Sequence, residues 1–169
     1  MSVARLRPET GFVSASAWII GHGRGLARTS ETSEEDALYD DRFASLFESY
    51  VDMGGMAKDA VIAKDLVFSP ALGTDKLSRW ISERKVLSAS WNGVHWLPIF
   101  QFEEPGAIPC RHLVTIIREM SLTRSDLAIV EWFCEPNLWL DHRVPAVVLH
   151  DDGLAVLHAA RADCLVLSR

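Results

Sequence analysis

The sequence predicts a small, mainly α-helical protein with one β-hairpin. Three observations predict it. Apolar residues recur at helical spacing in several stretches, as with Leu113, Ile116, Ile117 and Met120 at i, i+3, i+4 and i+7. The pair Asn92-Gly93 separates two strand-like runs, and both positions of such a two-residue turn need positive φ. The chain has 169 residues, 49% hydrophobic and 24% charged, which suits one compact domain, or one with a small second lobe, able to bury a core without staples.

Taken in order, residues 1–36 hold no sustained period, and the run from Thr29 to Asp36 is acidic and rich in hydroxyls. A flexible, solvated tail is expected there. Within it, Trp18-Ile19-Ile20-Gly21-His22-Gly23-Arg24-Gly25 reads as a strand and a glycine loop, but the glycines do not keep a nucleotide-binding spacing. The first helix is expected from Ala37 to about Met53, with Phe43, Leu46, Phe47, Tyr50 and Val51 as one apolar stripe. Gly54-Gly55 stops it. A short helix is expected from Met56 to Val67, then a turn over 68–73, because Pro70 disfavours a helical Ser69.

Thr74 is then a candidate N-cap, with Asp75 in the first turn, of a helix reaching about Lys85. Its spacing turns Leu77, Trp80 and Ile81 inward. Strands Val86–Trp91 and Val94–Phe100 flank the Asn92-Gly93 turn, with Trp91 and Trp96 placed to pair across it. A turn follows at Glu103-Glu104-Pro105-Gly106. Helices then run through Leu113–Met120 and Leu127–Cys134, the second capped by Thr123 or Ser125 and ended by Pro136-Asn137. Pro145 suits the first turn of a very short helix to Leu149, and Asp151 or Asp152 caps a last helix from Leu154 to about Ala162.

The net charge is −6, which argues against a polybasic nucleic-acid coat, but it is unevenly spread. Residues 31–52 carry −7, whereas residues 53–102 carry six basic against four acidic groups. The basic middle is where an anionic partner would land. Cys110, Cys134 and Cys164 are odd in number and widely spaced, so neither a disulfide framework nor a CxxC metal or redox motif is present. No run approaches the roughly 18 apolar residues of a membrane span. The apolar N-terminal stretch is broken by serines and glycines, a poor signal peptide, so a cytoplasmic protein with reduced cysteines is expected.

The order helix, turn, helix, two-stranded hairpin over residues 56–102 is that of a winged helix-turn-helix of the excisionase-like kind. In such a module the second helix enters the major groove and the hairpin touches the backbone. Lys76, Ser78, Arg79, Arg84 and Lys85 are the outward donors for base edges or phosphates, and Asn92 and His95 could add contacts from the hairpin. A merely structural helix–hairpin unit is the competing reading, since many surface helices carry a few basic residues. Core packing explains Trp91 and Trp96 better than base stacking does.

The run Ile129-Val130-Glu131-Trp132-Phe133-Cys134-Glu135-Pro136-Asn137-Leu138-Trp139-Leu140-Asp141-His142-Arg143-Val144-Pro145 resembles the C-terminal toxin-binding domain of Xre/MbcA/ParS-type antitoxins. That domain shows an apolar helix, then Asn-Pro-x-Leu-x-Gly-x-x-Pro, then a leucine and a last helix. Asn137, Leu140 and Pro145 stand at the matching spacing, and Leu149 follows. Leu138 replaces the usual proline and His142 the usual glycine. Trp96 to Phe102 also looks like the strand that precedes this domain in related proteins. The resemblance spans about residues 96–163. It implies an antitoxin whose front binds operator DNA and whose helical back masks a cognate toxin, which for many members has a RES fold and consumes NAD.

With that resemblance the expected organisation is a tail at 1–36, a helix-turn-helix-like domain with hairpin at 37–104 and a helical toxin-binding-like domain at 105–169. The toxin-binding residues would be Asn137, Trp139, Leu140, His142, Arg143 and Pro145. Trp139 beside Leu140, rimmed by Asp141, His142 and Arg143, has the pattern of an interface anchor, while closing the helical core is the rival role. Trp132, on a helix, reads as core. No cofactor and no catalytic activity are expected: GxSxG, HExxH and P-loop signatures are absent, and Cys110-Arg111-His112 could at most pair a thiol with an imidazole. The alternative to an antitoxin is a protein-interaction or homodimerising module that does not bind DNA.

Overall fold

The computed structural model describes residues 34–65, 70–103 and 108–167. The expected tail up to Ser33, residues 66–69 (the expected end of the 56–67 helix and the start of the turn expected over 68–73) and the boundary at 104/105 lie outside the described residues. The chain divides between Ser49 and Tyr50 into two units. In the first, helix α1 spans Glu34–Ser49. It begins earlier than expected, inside the stretch read as tail. Phe43 and Phe47 meet one turn apart, with ring centroids 6.5 Å apart.

The second unit is mainly helical with a small antiparallel sheet. A 3-10 turn at Val51–Met53 ends on Gly54 and Gly55, whose φ values of 93° and 79° favour glycine. Strand β1 follows at Met56–Lys58, then helices α2 (Asp59–Asp65) and α3 (Pro70–Ser82), then strands β2 (Ala89–Trp91) and β3 (Val94–Pro98). Two expectations are corrected here. Residues 56–58 are a strand and not the start of a helix, because they pair with β3: Met56 opposite Pro98, Ala57 opposite Leu97 and Lys58 opposite Trp96. Helix α3 starts at Pro70 and not at Thr74, since proline is well placed in a first helical turn.

The hairpin forms where expected, with Asn92 at φ 50° and Gly93 at φ 74°. It gives a three-stranded sheet in the order β1-β3-β2. Its register sets Trp91 opposite Val94 and Trp96 opposite Ala89. The two tryptophans therefore stand diagonally on one face of the hairpin, at a separation that aromatic side chains span. Trp96 is buried and has the Lys58 ammonium 5.2 Å from its ring centroid. Ile62, Ala63, Leu77, Val86 and Leu97 form the core between the helix pair and the sheet.

A 3-10 turn at Ile99–Gln101 leads into strand β4 (Phe102–Glu103), which pairs with β5 (Ile108–Pro109). Helix α4 (Leu113–Met120) buries all four of its stripe residues, Leu113, Ile116, Ile117 and Met120. Ser125 caps helix α5 (Asp126–Cys134), its Oγ accepting from the Ala128 amide. Helix α6 (Pro145–Val148) is one turn long, and α7 (Gly153–Leu167) runs five residues further than the pattern indicated. Tyr50, buried, stacks on Phe100 and donates its hydroxyl to the Val130 carbonyl at 2.5 Å. Phe100 in turn meets Phe133, and Phe133 meets Trp132 edge to face. Among the described residues no helix is long and apolar enough to cross a membrane.

Candidate functional site

The basic helix and the hairpin tip come first. Lys76, Ser78 and Arg79 all lie exposed on α3. The Lys76 ammonium sits 4.7 Å from the Trp80 ring centroid, so its methylene stem lies along the indole and its charge stays in water. Arg84 follows the helix in a left-handed turn, φ 52°, and its Nε meets the Asp126 carboxylate at 3.1 Å. Lys85 pairs with Glu83 at 2.6 Å and holds that carboxyl below its usual value. Both pairs are exposed and weak, so an incoming phosphate can replace either carboxylate. Asn92 is exposed at the hairpin tip, whereas the His95 Nδ1 is buried without a hydrogen-bond partner and does not present itself to a phosphate.

The second group is the segment from Asn137 to Pro145, between α5 and α6. Asn137 is buried and closes the segment on itself. Its amide donates to the Arg143 carbonyl at 3.1 Å, and its own carbonyl accepts from the Leu140 amide at 3.1 Å and the His142 amide at 2.9 Å. Its side-chain Oδ1 caps the 3-10 turn at Leu138–Leu140 by accepting from the Trp139 amide at 2.9 Å. Arg143 Nε donates to the Leu140 carbonyl at 3.1 Å. The chain reverses through Asp141 and His142, at φ 55° and 61°. The His142 backbone holds a conformation in which glycine costs least.

One residue outside the sequence-based selection organises this loop. Asp163, on α7, accepts three side-chain N–H groups: Trp132 Nε1 at 2.6 Å, Asn137 Nδ2 at 2.8 Å and Trp139 Nε1 at 2.9 Å. A carboxylate is acceptor-only with two oxygens, so three converging donors suit it. The signal was present in the sequence: Asp163 is the one acid in an α7 otherwise apolar or basic. Nothing local tied it to a loop more than twenty residues upstream.

The loop therefore divides its residues between two tasks. Leu140 and Pro145 are buried and anchor it from below, as is Trp132 on α5. Trp139 points outward, 54% exposed although its indole N–H is bonded, with Leu138, Asp141, His142 and Arg143 exposed around it. An exposed tryptophan fixed in orientation has already given up its rotamer freedom before any partner arrives.

Cys110 does not meet His112. The His112 ring instead packs where α7 begins, so close to Gly153 that an added Cβ there would lie 2.5 Å from it. Cys110 lies against His150. Burial, and then the Glu103 charge, push the Cys110 thiol up to about 12, which keeps it protonated and poorly nucleophilic. A scan against protein-family models, and comparisons with curated proteins and solved structures, return no match to this chain.

Proposed function

We propose that this protein is an antitoxin-like regulator that neutralises a partner toxin with the Asn137–Pro145 loop and binds operator DNA with the α2–α3–hairpin unit. The observation that carries the reading is Trp139: half exposed, yet bonded to Asp163 and set in a loop that closes on Asn137. Rigid aromatic anchors with a polar rim are what binding energy concentrates on. The loop also spends backbone energy, since Asp141 and His142 hold left-handed conformations that side chains disfavour. The DNA part rests on layout: β1 pairs with β3 and carries the helix pair, leaving Lys76, Ser78 and Arg79 exposed together on α3.

Co-expression tests the toxin part. The product of the adjacent reading frame should arrest growth alone, and this protein should rescue it. A neighbour that is harmless alone counts against the reading. Mobility shift on the upstream DNA tests the other part. Lys76→Glu with Arg79→Glu should weaken the shift and flatten its salt dependence.

A second reading, an interaction module without DNA binding, is favoured by one observation. Arg84 and Lys85 already face Asp126 and Glu83, which leaves less free positive charge around α3. That reading expects no shift for the wild-type protein, with toxin neutralisation intact.

A further inference from the structure

Glu103, Cys110 and His150 are far apart in the sequence but meet in space. Glu103 ends β4, Cys110 follows β5, and His150 lies in the turn after α6. One ligand atom from each lies within 4.8 Å of the others. His150 Nε2 lies 2.6 Å from the Phe100 carbonyl oxygen, a contact that requires the proton on Nε2. The lone pair is therefore on Nδ1, which stands 3.7 Å from Cys110 Sγ. The sulfur is nearly as close to Nε2, at 3.9 Å, but that nitrogen is committed to Phe100.

We propose that Glu103, Cys110 and His150 form a zinc site. Ideal tetrahedral zinc, with sulfur at about 2.3 Å and nitrogen at about 2.0–2.1 Å, sets the two ligand atoms about 3.5 Å apart. The observed 3.7 Å is that separation within a few tenths. A histidine that gives its second N–H to a backbone carbonyl is in the usual posture of a metal ligand, its tautomer and ring plane fixed from behind. The set of one sulfur, one nitrogen and one carboxylate oxygen suits a borderline cation such as zinc and not magnesium or calcium, which take oxygen. Three protein ligands leave a fourth position for water, and Glu103 and His150 are exposed, which provides the way in.

The rival use of the same residues, a Cys–His nucleophile, is opposed by the buried, protonated thiol. A bound cation changes that balance, because a coordinating thiol loses its proton to the solvent as the metal–sulfur bond forms. Zinc there ties the end of β4 to the turn after α6 and so braces the entry to α7. The site is independent of the antitoxin reading, and its test is separate.

The full-length protein, stripped with chelator, is titrated with cobalt(II) alone and then with zinc alone. A thiolate-to-cobalt charge-transfer band with intense visible bands is expected, and zinc should bleach both. Cys110→Ser should abolish the charge-transfer band, while Cys134→Ser and Cys164→Ser leave it unchanged. His150→Gln, whose side-chain amide can still donate to the Phe100 carbonyl, should weaken cobalt binding by more than about tenfold, since losing even an outer-shell partner costs that much. Zinc should raise the melting temperature of the wild-type protein and not that of His150→Gln. A cobalt spectrum without a thiolate band, a thiolate band that survives Cys110→Ser, or a cobalt affinity unchanged in His150→Gln overturns the proposal.

Discussion

Gln101 and Asp163 each take three hydrogen bonds, yet they leave different surfaces behind. Gln101 is fully buried and bonds only to backbone. Its Oε1 accepts from the Leu87 amide at 2.6 Å, and its Nε2 donates to the carbonyls of Leu87 at 3.0 Å and Pro98 at 2.9 Å. An amide can serve both donors and acceptors, so it closes the path from α3 to β2 against the turn after β3 and exposes nothing. Asp163 bonds only to side chains, and one of them is the exposed Trp139. The first clip makes scaffold. The second fixes a loop while leaving a large apolar ring half exposed to water. That contrast separates a clip that closes the chain around Leu87 and Pro98 from one that leaves a tryptophan exposed on the C-terminal helices.

The largest effect should come from the buried clip. Gln101→Ala removes a fully buried side chain and leaves the Leu87 amide without its acceptor, so denaturant unfolding should show a loss of about 3–4 kcal/mol. Partner binding by the folded fraction should be unaffected. Asp163→Ala comes next, at about 2–3 kcal/mol, because it strands the buried Trp132 N–H while Trp139 and Asn137 can turn partly to water. Unlike Gln101→Ala, it should weaken partner binding by releasing Trp139. Equal behaviour of the two variants in a binding assay would erase the distinction between them.

Tyr50→Phe probes α5, the helix that carries Trp132, independently of Asp163. It should cost about 1 kcal/mol at neutral pH through the lost bond to the Val130 carbonyl. It should also change the response to alkali. Burial, and then the Cys134 and Glu131 charges, hold the Tyr50 phenol well above 10. The unfolded chain releases that proton near pH 10 while the folded chain keeps it, so stability is intact below about pH 10 and falls above it. In Tyr50→Phe the fall should be shallower, read by chemical unfolding across that range.

The smallest effects separate the two turns. Asn92 and Gly93 are the residue types that tolerate positive φ, and Asn92→Ala should cost up to about 1 kcal/mol by putting strain at the hairpin tip. His142 is already a strained residue in that conformation, so His142→Gly should be neutral or gain up to about 1 kcal/mol in thermal unfolding. Stabilisation with weaker partner binding would mark His142 as kept for the surface and not for the fold.

What was legible in the sequence was what local chemistry decides. Asn92-Gly93 specified its turn, Pro145 its one-turn helix, and the spacing of Leu113 to Met120 its buried face. What was not legible depended on distant pairing. Met56–Lys58 carries no strand signal of its own and becomes a strand only because β3 lies beside it forty residues later. The sequence likewise left open which residue each hairpin tryptophan stands opposite, which the register settles as Val94 for Trp91 and Ala89 for Trp96. Within the candidate loop, Trp139 and Asn137 were visible, but the carboxylate that orders both lies on α7. Cys110 was visible too, paired in sequence with His112 and in space with His150. In each case the missing information was which surfaces the folded chain presses together.

Titration calorimetry of the protein with the product of the neighbouring reading frame, for wild type and Trp139→Ala, tests the central claim most directly. The account predicts a specific wild-type complex and, for Trp139→Ala, at least about 30-fold weaker binding with an unchanged melting temperature. Wild-type protein that does not associate, or Trp139→Ala that binds as tightly, would contradict it.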